Sequence, residues 1–247
     1  MEKTRITWLN SASSTNSEAL RLVETGEASQ GTVVATLNQV AGRGQGDSFW
    51  ESEAGKNLAL SIILHPKTIP PSQQFILNQA VSIGVLEGIR KIAKGESFTI
   101  KWPNDIYYKA SKVAGILIEN SILGDKYSLA VVGIGVNLNQ ERFVSGAPNP
   151  ISLRNICNRE FDIDQSLQIV VDSVWNWYQA LLEGNSELVK SEYLKNLLGL
   201  EVSRFFRAKG KMFCGAITGL DEYGRLVVKI EGGTSKIFDF KEIEFLH

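Results

Sequence analysis

The chain has 247 residues, 43% of them apolar and 21% charged, with 26 Lys+Arg against 27 Asp+Glu and a formal charge of -1. This composition excludes a disordered or fibrous chain, and the near-neutral charge disfavours a protein whose main task is gripping nucleic-acid phosphates. Two cysteines (Cys157, Cys214) and two histidines (His65, His247) disfavour a disulfide framework or a His/Cys zinc site. No run nears the ~18 apolar residues of a membrane span, and Met1-Glu2-Lys3-Thr4-Arg5 leads into no signal-peptide stretch. The expectation is therefore a soluble, cytoplasmic α/β or α+β protein of one or two domains, without membrane or nucleic-acid partners.

In chain order, residues 4–9 read as a short strand. Thr15 and Glu18 have the spacing of a capping box that opens a helix carrying Ala19, Leu20, Leu22 and Val23, with Gly26 ending it. Residues 31–37 are rich in β-branched side chains, and 58–64 are apolar almost throughout, as expected of a strand covered on both faces. Pro70-Pro71-Ser72 marks the start of a helix striped by Leu77, Ala80, Val81, Val85, Ile89 and Ile92. Strands are expected over 98–102, 113–119 and 127–138, a loop over 145–150, and helices over 165–183 and 187–198. Beyond Leu198 the pattern changes to short strand-like runs at 201–206, 212–220, 225–231 and 235–240, separated by glycine turns. That spacing suggests a small β-barrel module.

Three segments carry candidate chemistry. The polar stretch 38–57 holds Gly42, Arg43, Gly44, Gln45 and Gly46, but it is neither a Walker A loop nor a dinucleotide-binding turn, since no helical pattern follows. Its glycines allow backbone N–H groups close to an anion, and they equally suit a surface loop between two strands. Lys101-Trp102-Pro103-Asn104-Asp105 places a cation, an amide and a carboxylate at a strand end, where ligand crevices form. Lys112 precedes the apolar run 113–118, and Gly115 within it, like Gly133 and Gly135 further on, marks close approach of a ligand or of another backbone.

Together these residues add up to a resemblance. Ser14-Thr15-Asn16, Gln39 with Gly42-Arg43-Gly44, Lys101-Trp102-Pro103-Asn104-Asp105, the run from Lys112 to Glu119, and Gly133-Ile134-Gly135-Val136-Asn137 resemble biotin protein ligase, also called biotin–[acetyl-CoA-carboxylase] ligase. The resemblance implies an α+β fold, with a mixed β-sheet and flanking helices related to class II aminoacyl-tRNA synthetases, followed by a small C-terminal SH3-like β-barrel. It places the catalytic domain at 1–198 and the barrel at 199–247.

The resemblance also implies substrates and roles. Biotin and ATP, with Mg carried largely on the ATP phosphates, would form biotinyl-5'-adenylate, and the biotinyl group would pass to a lysine of a biotin carboxyl carrier domain. Lys112 and Arg43 would stabilise charge at the α-phosphate, and Asp105 would orient and deprotonate the incoming lysine. Ser14, Thr15, Asn16, Gln39, Gly42, Gly44, Gln45, Trp50, Gly115, Ile116 and Gly133 would contact biotin or the adenylate, while Lys101, Asn104 and Asn137 would face the ATP phosphates. No metal ligand is assigned among the side chains. Several relatives carry a second arginine where Gln45 stands, which leaves the loop short of one charge.

The Ser14-Thr15-Asn16 motif begins 13 residues into the chain, so a ligase without an N-terminal DNA-binding domain and without a repressor role is expected. Lipoate protein ligase shares the fold and the acyl-adenylate logic, but its Arg-Arg-x-x-Gly-Gly-Gly run is missing here. A non-catalytic biotin sensor is the alternative of a different class, and Lys112 and Asp105 argue against it. Exposed edge strands of such folds can pair subunits, so a homodimer stands among the expected partners.

Overall fold

The computed structural model describes residues 5–46, 48–124, 126–145 and 149–246. Thr4 of the first expected strand, Asp47 of the glycine stretch and residues 146–148 of the expected loop lie outside the described residues. Strands β1 (Ile6–Leu9), β2 (Val33–Thr36), β3 (Leu58–Leu64), β4 (Phe98–Lys101), β5 (Asp105–Tyr108), β6 (Ser111–Leu123) and β7 (Lys126–Val136) form one sheet. Its order is β1-β2-β3-β7-β6-β5-β4, with β1 parallel to β2 and the other neighbours antiparallel.

Alternation along the central strands divides this sheet into two unlike faces. Leu58, Leu60, Ile62, Val132, Ile134, Val136, Ala114, Ile116 and Ile106 belong to the main core, together with buried residues of α2 (Phe75–Ile92) and α4 (Ile163–Leu182). On the opposite face, Ile63, Leu129 and Val131 pack under Ala19 and Leu22 of α1 (Thr15–Glu24). Further along that second face the side chains become small. Ala59 pairs with Gly135 and Ser61 with Gly133, and β6 sets Gly115 opposite Gly135. Small residues across three strands leave a depression beside α1.

The tail forms β8 (Ser203–Ala208), β9 (Lys211–Leu220), β10 (Leu226–Ile230), β11 (Ser235–Phe238) and β12 (Glu244–Phe245). These make an antiparallel sheet of order β11-β10-β9-β8-β12. The expected small β module is thus present, but its edge strands β11 and β12 do not pair among the described residues, so no barrel closure is formed there. β12 is only two residues long, too short for an extended ladder. Phe206, Ile217, Leu226, Val228, Phe238 and Phe245 join the same core cluster as the large sheet. Trp102 Nε1 donates to Gly224 O at 2.9 Å, and the Trp102 and Phe240 rings lie 6.2 Å apart.

Three elements escape the sequence patterns. β5 begins directly after the Pro103-Asn104 turn and is only four residues long. The five-residue helix α3 (Leu153–Cys157) and the strand β12 are shorter still relative to any periodicity. Helix α5 (Ser186–Lys195) falls within the helix expected over 187–198 to within a few residues. The expected capping box is not formed. Thr15 lies inside the helix, its N–H and hydroxyl both turned toward Gln39 Oε1 (2.9 and 3.3 Å), and Glu18 pairs with Arg21 instead. Gln39 outcompetes Glu18 because it satisfies two donors from one carbonyl oxygen in a part-buried setting.

Candidate active site

The depression on the small-residue face is a cavity of about 480 Å³. Its floor explains its glycines by close approach. The ring of Trp50 lies across Gly115 and Gly135: a Cβ at Gly135 would stand 2.7 Å from Trp50 Nε1, and one at Gly115 would stand 3.0 Å from Trp50 Cζ3. Any larger residue at Gly135 would evict the indole. Trp50 Nε1 is buried without a hydrogen-bond partner among the described residues.

One wall is the N-terminus of α1. Ser14 precedes the helix, and Ser14, Thr15 and Asn16 are all buried, yet all line the cavity. Ser61 donates to Asn16 Oδ1 at 2.6 Å and lies 2.8 Å from Thr15 Oγ1. Asn16 Nδ2 in turn donates to Glu119 Oε2 at 2.6 Å and to Leu117 O at 3.3 Å. This web fixes which way the Asn16 carboxamide points.

The opposite wall is set by a bulge. Asp105 pairs with Gly115 and Ile106 with Ala114, but Tyr107 then pairs with Lys112, so Val113 is the extra residue. The bulge turns Lys112 onto the face of Asp105 and Gly115, whereas strict alternation would have sent it the other way. Lys112 Nζ meets Asp105 Oδ1 at 2.7 Å, with both side chains about a quarter exposed, and stands 5.5 Å from the Trp50 ring centroid. Asn104 Nδ2 donates to Ile116 O at 2.7 Å, and Asn137 Nδ2 donates to Lys112 O and Ile151 O at 3.3 Å each. Both buried asparagines therefore brace the backbone around Lys112.

The glycine stretch closes the roof as a narrow hairpin. Trp50 N donates to Gly42 O at 2.9 Å, Gly44 N donates to Ser48 O at 2.7 Å, and Arg43 bridges Phe49. Arg43 Nη2 reaches both oxygens of Glu119 at 3.2 Å. Next to Trp50, Glu51 accepts from the N–H groups of Val144 and Ser145 (2.9 and 2.8 Å) and from Gln140 Nε2 (2.9 Å). Burial raises the Glu51 carboxyl, but these hydrogen bonds outweigh it and hold the group below its ordinary value.

Of the residues singled out in the sequence, Ser14, Thr15, Asn16, Gln39, Arg43, Gly44, Gln45, Trp50, Asn104, Asp105, Lys112, Gly115, Ile116, Gly133 and Asn137 all line this cavity. Two do not. Gly42 lies behind it, where a Cβ would stand 2.5 Å from Trp50 O, so its part is to let the hairpin fold. Lys101 sits with its ammonium 4.8 Å from the Tyr107 centroid and 5.4 Å from that of Phe245. Burial pushes its pKa down, with Asp105 opposing and Lys112 and Arg204 adding to the effect. The side chain of Ile116 belongs to the core, which leaves its backbone for the cavity. Phe240 and Lys241 of the tail, with Glu51, Phe143 and Ser145, line the cavity without any signal in the sequence pattern. Only the fold brings them there.

The chain that builds this glycine-floored cavity, walled by a helix N-terminus and an Asp–Lys pair and roofed by a Gly-Arg-Gly hairpin, has relatives among known proteins. The chain belongs to the biotin/lipoate A/B protein ligase family, whose model matches residues 8–137. It is 29% identical over 216 residues to the bifunctional ligase/repressor BirA of Bacillus subtilis, covering 85% of this chain and 65% of that protein. It is 28% identical over 232 residues to the biotin–[acetyl-CoA-carboxylase] ligase of Paracoccus denitrificans, covering 91% of this chain and 94% of that one. Against the Bacillus BirA proteins the chain therefore spans 65% of their length. Among solved structures, the biotin protein ligase of Aquifex aeolicus in complex with biotin and ATP superposes with a TM-score of 0.80 at 26% identity, covering 98% of both chains.

Proposed function

We propose that this chain is a biotin protein ligase, which joins biotin to ATP as biotinyl-5'-AMP and then to a lysine of a biotin carboxyl carrier domain. The observation that carries this reading is the bulge-directed Lys112–Asp105 pair facing the glycine floor. The Aquifex biotin protein ligase, similar in extent and fold, is solved in complex with biotin and ATP, which supports the reading.

In the first step a biotin carboxylate oxygen attacks the α-phosphorus and pyrophosphate leaves. Two anions must meet, so cations are needed where charge builds up. Lys112 meets that need from the cavity wall, and Arg43 from the hairpin above it. Asn104 and Asn137 keep the Lys112 backbone in place, and Lys101 stands beside the pair as the cross-strand partner of Asp105. Ser14, Thr15, Asn16 and Gln39 offer the hydroxyl and amide groups that suit the polar end of biotin, while Trp50 covers its apolar part. Mg belongs to the ATP as substrate. Among the described residues no three His, Cys, Asp or Glu side chains cluster to hold a metal, and phosphate and water oxygens are its usual partners in such sites.

In the second step the carrier lysine attacks the acyl carbon, AMP leaves and an amide forms. The amine must first lose its proton, and Asp105 is the carboxylate at the cavity wall placed to take it. Residues 199–247 contribute Phe240 and Lys241 to the rim, which supports treating them as a second unit that engages nucleotide or carrier.

The family includes lipoate ligases, so the test supplies both acids. Purified chain is incubated with MgATP and either biotin or lipoate, followed by mass spectrometry of the adenylate and of an added apo carrier domain. Biotinyl adenylate and a biotinylated carrier are expected. Adenylate from lipoate but not from biotin overturns the reading, and adenylate without transfer to the carrier favours a sensor.

A further inference from the structure

Glu119 lines no part of the cavity, yet it is the residue to which two of the lining residues are tied. Its carboxylate accepts from Asn16 Nδ2 at 2.6 Å and from Arg43 Nη2 at 3.2 Å to each oxygen. On β6 it lies seven residues beyond Lys112, which is about 20 Å of strand. Arg43, the cation of the roof hairpin, is thus held toward the Asn16 end and away from Lys112, where an anionic substrate would concentrate charge. The ion pair is half open to water, with Arg43 48% and Glu119 30% exposed, so a competing anion can reach it.

We propose that Glu119 is a positioning residue: its carboxylate and the anionic nucleotide compete for the Arg43 guanidinium, tying the setting of the hairpin arginine to occupancy of the cavity. This rests on reading the cavity as an acyl-adenylate site. The carboxylate competes with phosphate for one guanidinium, so nucleotide binding must displace it. An ion pair this exposed is weak enough for that exchange to be reversible, of a size that alters affinity by about two- to fivefold.

The test is Glu119→Gln, with Glu119→Asp as the charge-preserving control. MgATP is titrated calorimetrically into wild type, E119Q, R43Q and the double variant. E119Q is expected to tighten MgATP by about two- to fivefold, E119D to stay near wild type, and E119Q to have no effect in the R43Q background. A loss that is merely structural would weaken binding and persist without Arg43. In parallel, trypsin cleavage after Arg43 is compared with cleavage after Lys56 in the ligand-free protein. E119Q should raise the first rate severalfold relative to the second, and MgATP should abolish the difference.

Unchanged or weaker MgATP binding in E119Q, an equal effect in the R43Q background, or unchanged cleavage after Arg43 overturns the proposal. If wild type makes adenylate from neither biotin nor lipoate, the proposed function falls. The proteolysis and titration measurements still judge Glu119, because neither needs turnover.

Discussion

Replacing Gly133 with alanine tests the floor of the cavity most directly. A Cβ there would stand 3.0 Å from Asn16 Cγ and 3.1 Å from Nδ2, with Oδ1 closer still. Asn16 is only 3% exposed and is held by Ser61, Glu119 and Leu117 O, so it has little room to retreat. It must move by a distance on the order of an ångström, which breaks or lengthens bonds worth about 0.5–1.5 kcal/mol each. Strain from overpacking adds about 1–3 kcal/mol. A combined loss of about 2–4 kcal/mol corresponds to a fall in Tm of roughly 5–12 °C for a chain of this size. The same movement disturbs the helix wall but leaves Lys112 untouched, so KM for biotin should rise at least tenfold while KM for ATP changes little. Thermal unfolding with steady-state adenylation at varied biotin and ATP measures both. A Tm within a degree of wild type together with an unchanged biotin KM would refute the close-packed floor and the assignment of this end to the acid.

Further outcomes follow from the ion pair and the roof. Lys112→Ala should cut the rate of adenylate formation by about 10²–10³ while weakening MgATP binding far less, and Asp105→Asn should slow transfer to the carrier more than adenylation. Single-turnover measurement of each half-reaction checks this, and because the two side chains meet at 2.7 Å the double variant should be less damaged than the product of the single effects. For Glu51, the folded pKa lies below its ordinary value of 4.5, so its stabilising contribution is complete above that pH and is lost as pH falls through the folded value. Glu51→Gln should therefore cost about 1–2 kcal/mol in urea unfolding at pH 7, with the difference from wild type shrinking below about pH 4.5.

Much of the site is legible in the sequence because its chemistry sits in contiguous runs. Asp105 opens β5 and Lys112 lies near the start of β6, neighbouring strands joined by a short turn, so the spacing that betrays the motif also brings Asp105 and Lys112 together. The glycines at 115, 133 and 135 read correctly as places of close approach, although the neighbours they admit, Trp50 over Gly115 and Gly135 and Asn16 over Gly133, could not be inferred from alternation. The capping box is not formed for a related reason. Local spacing favours Glu18, but Gln39 arrives from 24 residues away and takes both Thr15 donors.

The sequence by itself determined the strands and helices that carry strong periodicity, the identity of the reactive groups, and the change to a β-rich tail after Leu198, because these depend on local pattern and residue chemistry. The tertiary structure decided which way those groups face. The β6 bulge that aims Lys112 into the cavity, the seating of Lys101 against the Tyr107 and Phe245 rings, the capture of Arg43 by Glu119, and the arrival of Phe240 and Lys241 at the rim all depend on contacts between distant segments. Side-chain direction in a sheet changes with a single residue of register, and register is fixed only when the partner strands and their packing are in place.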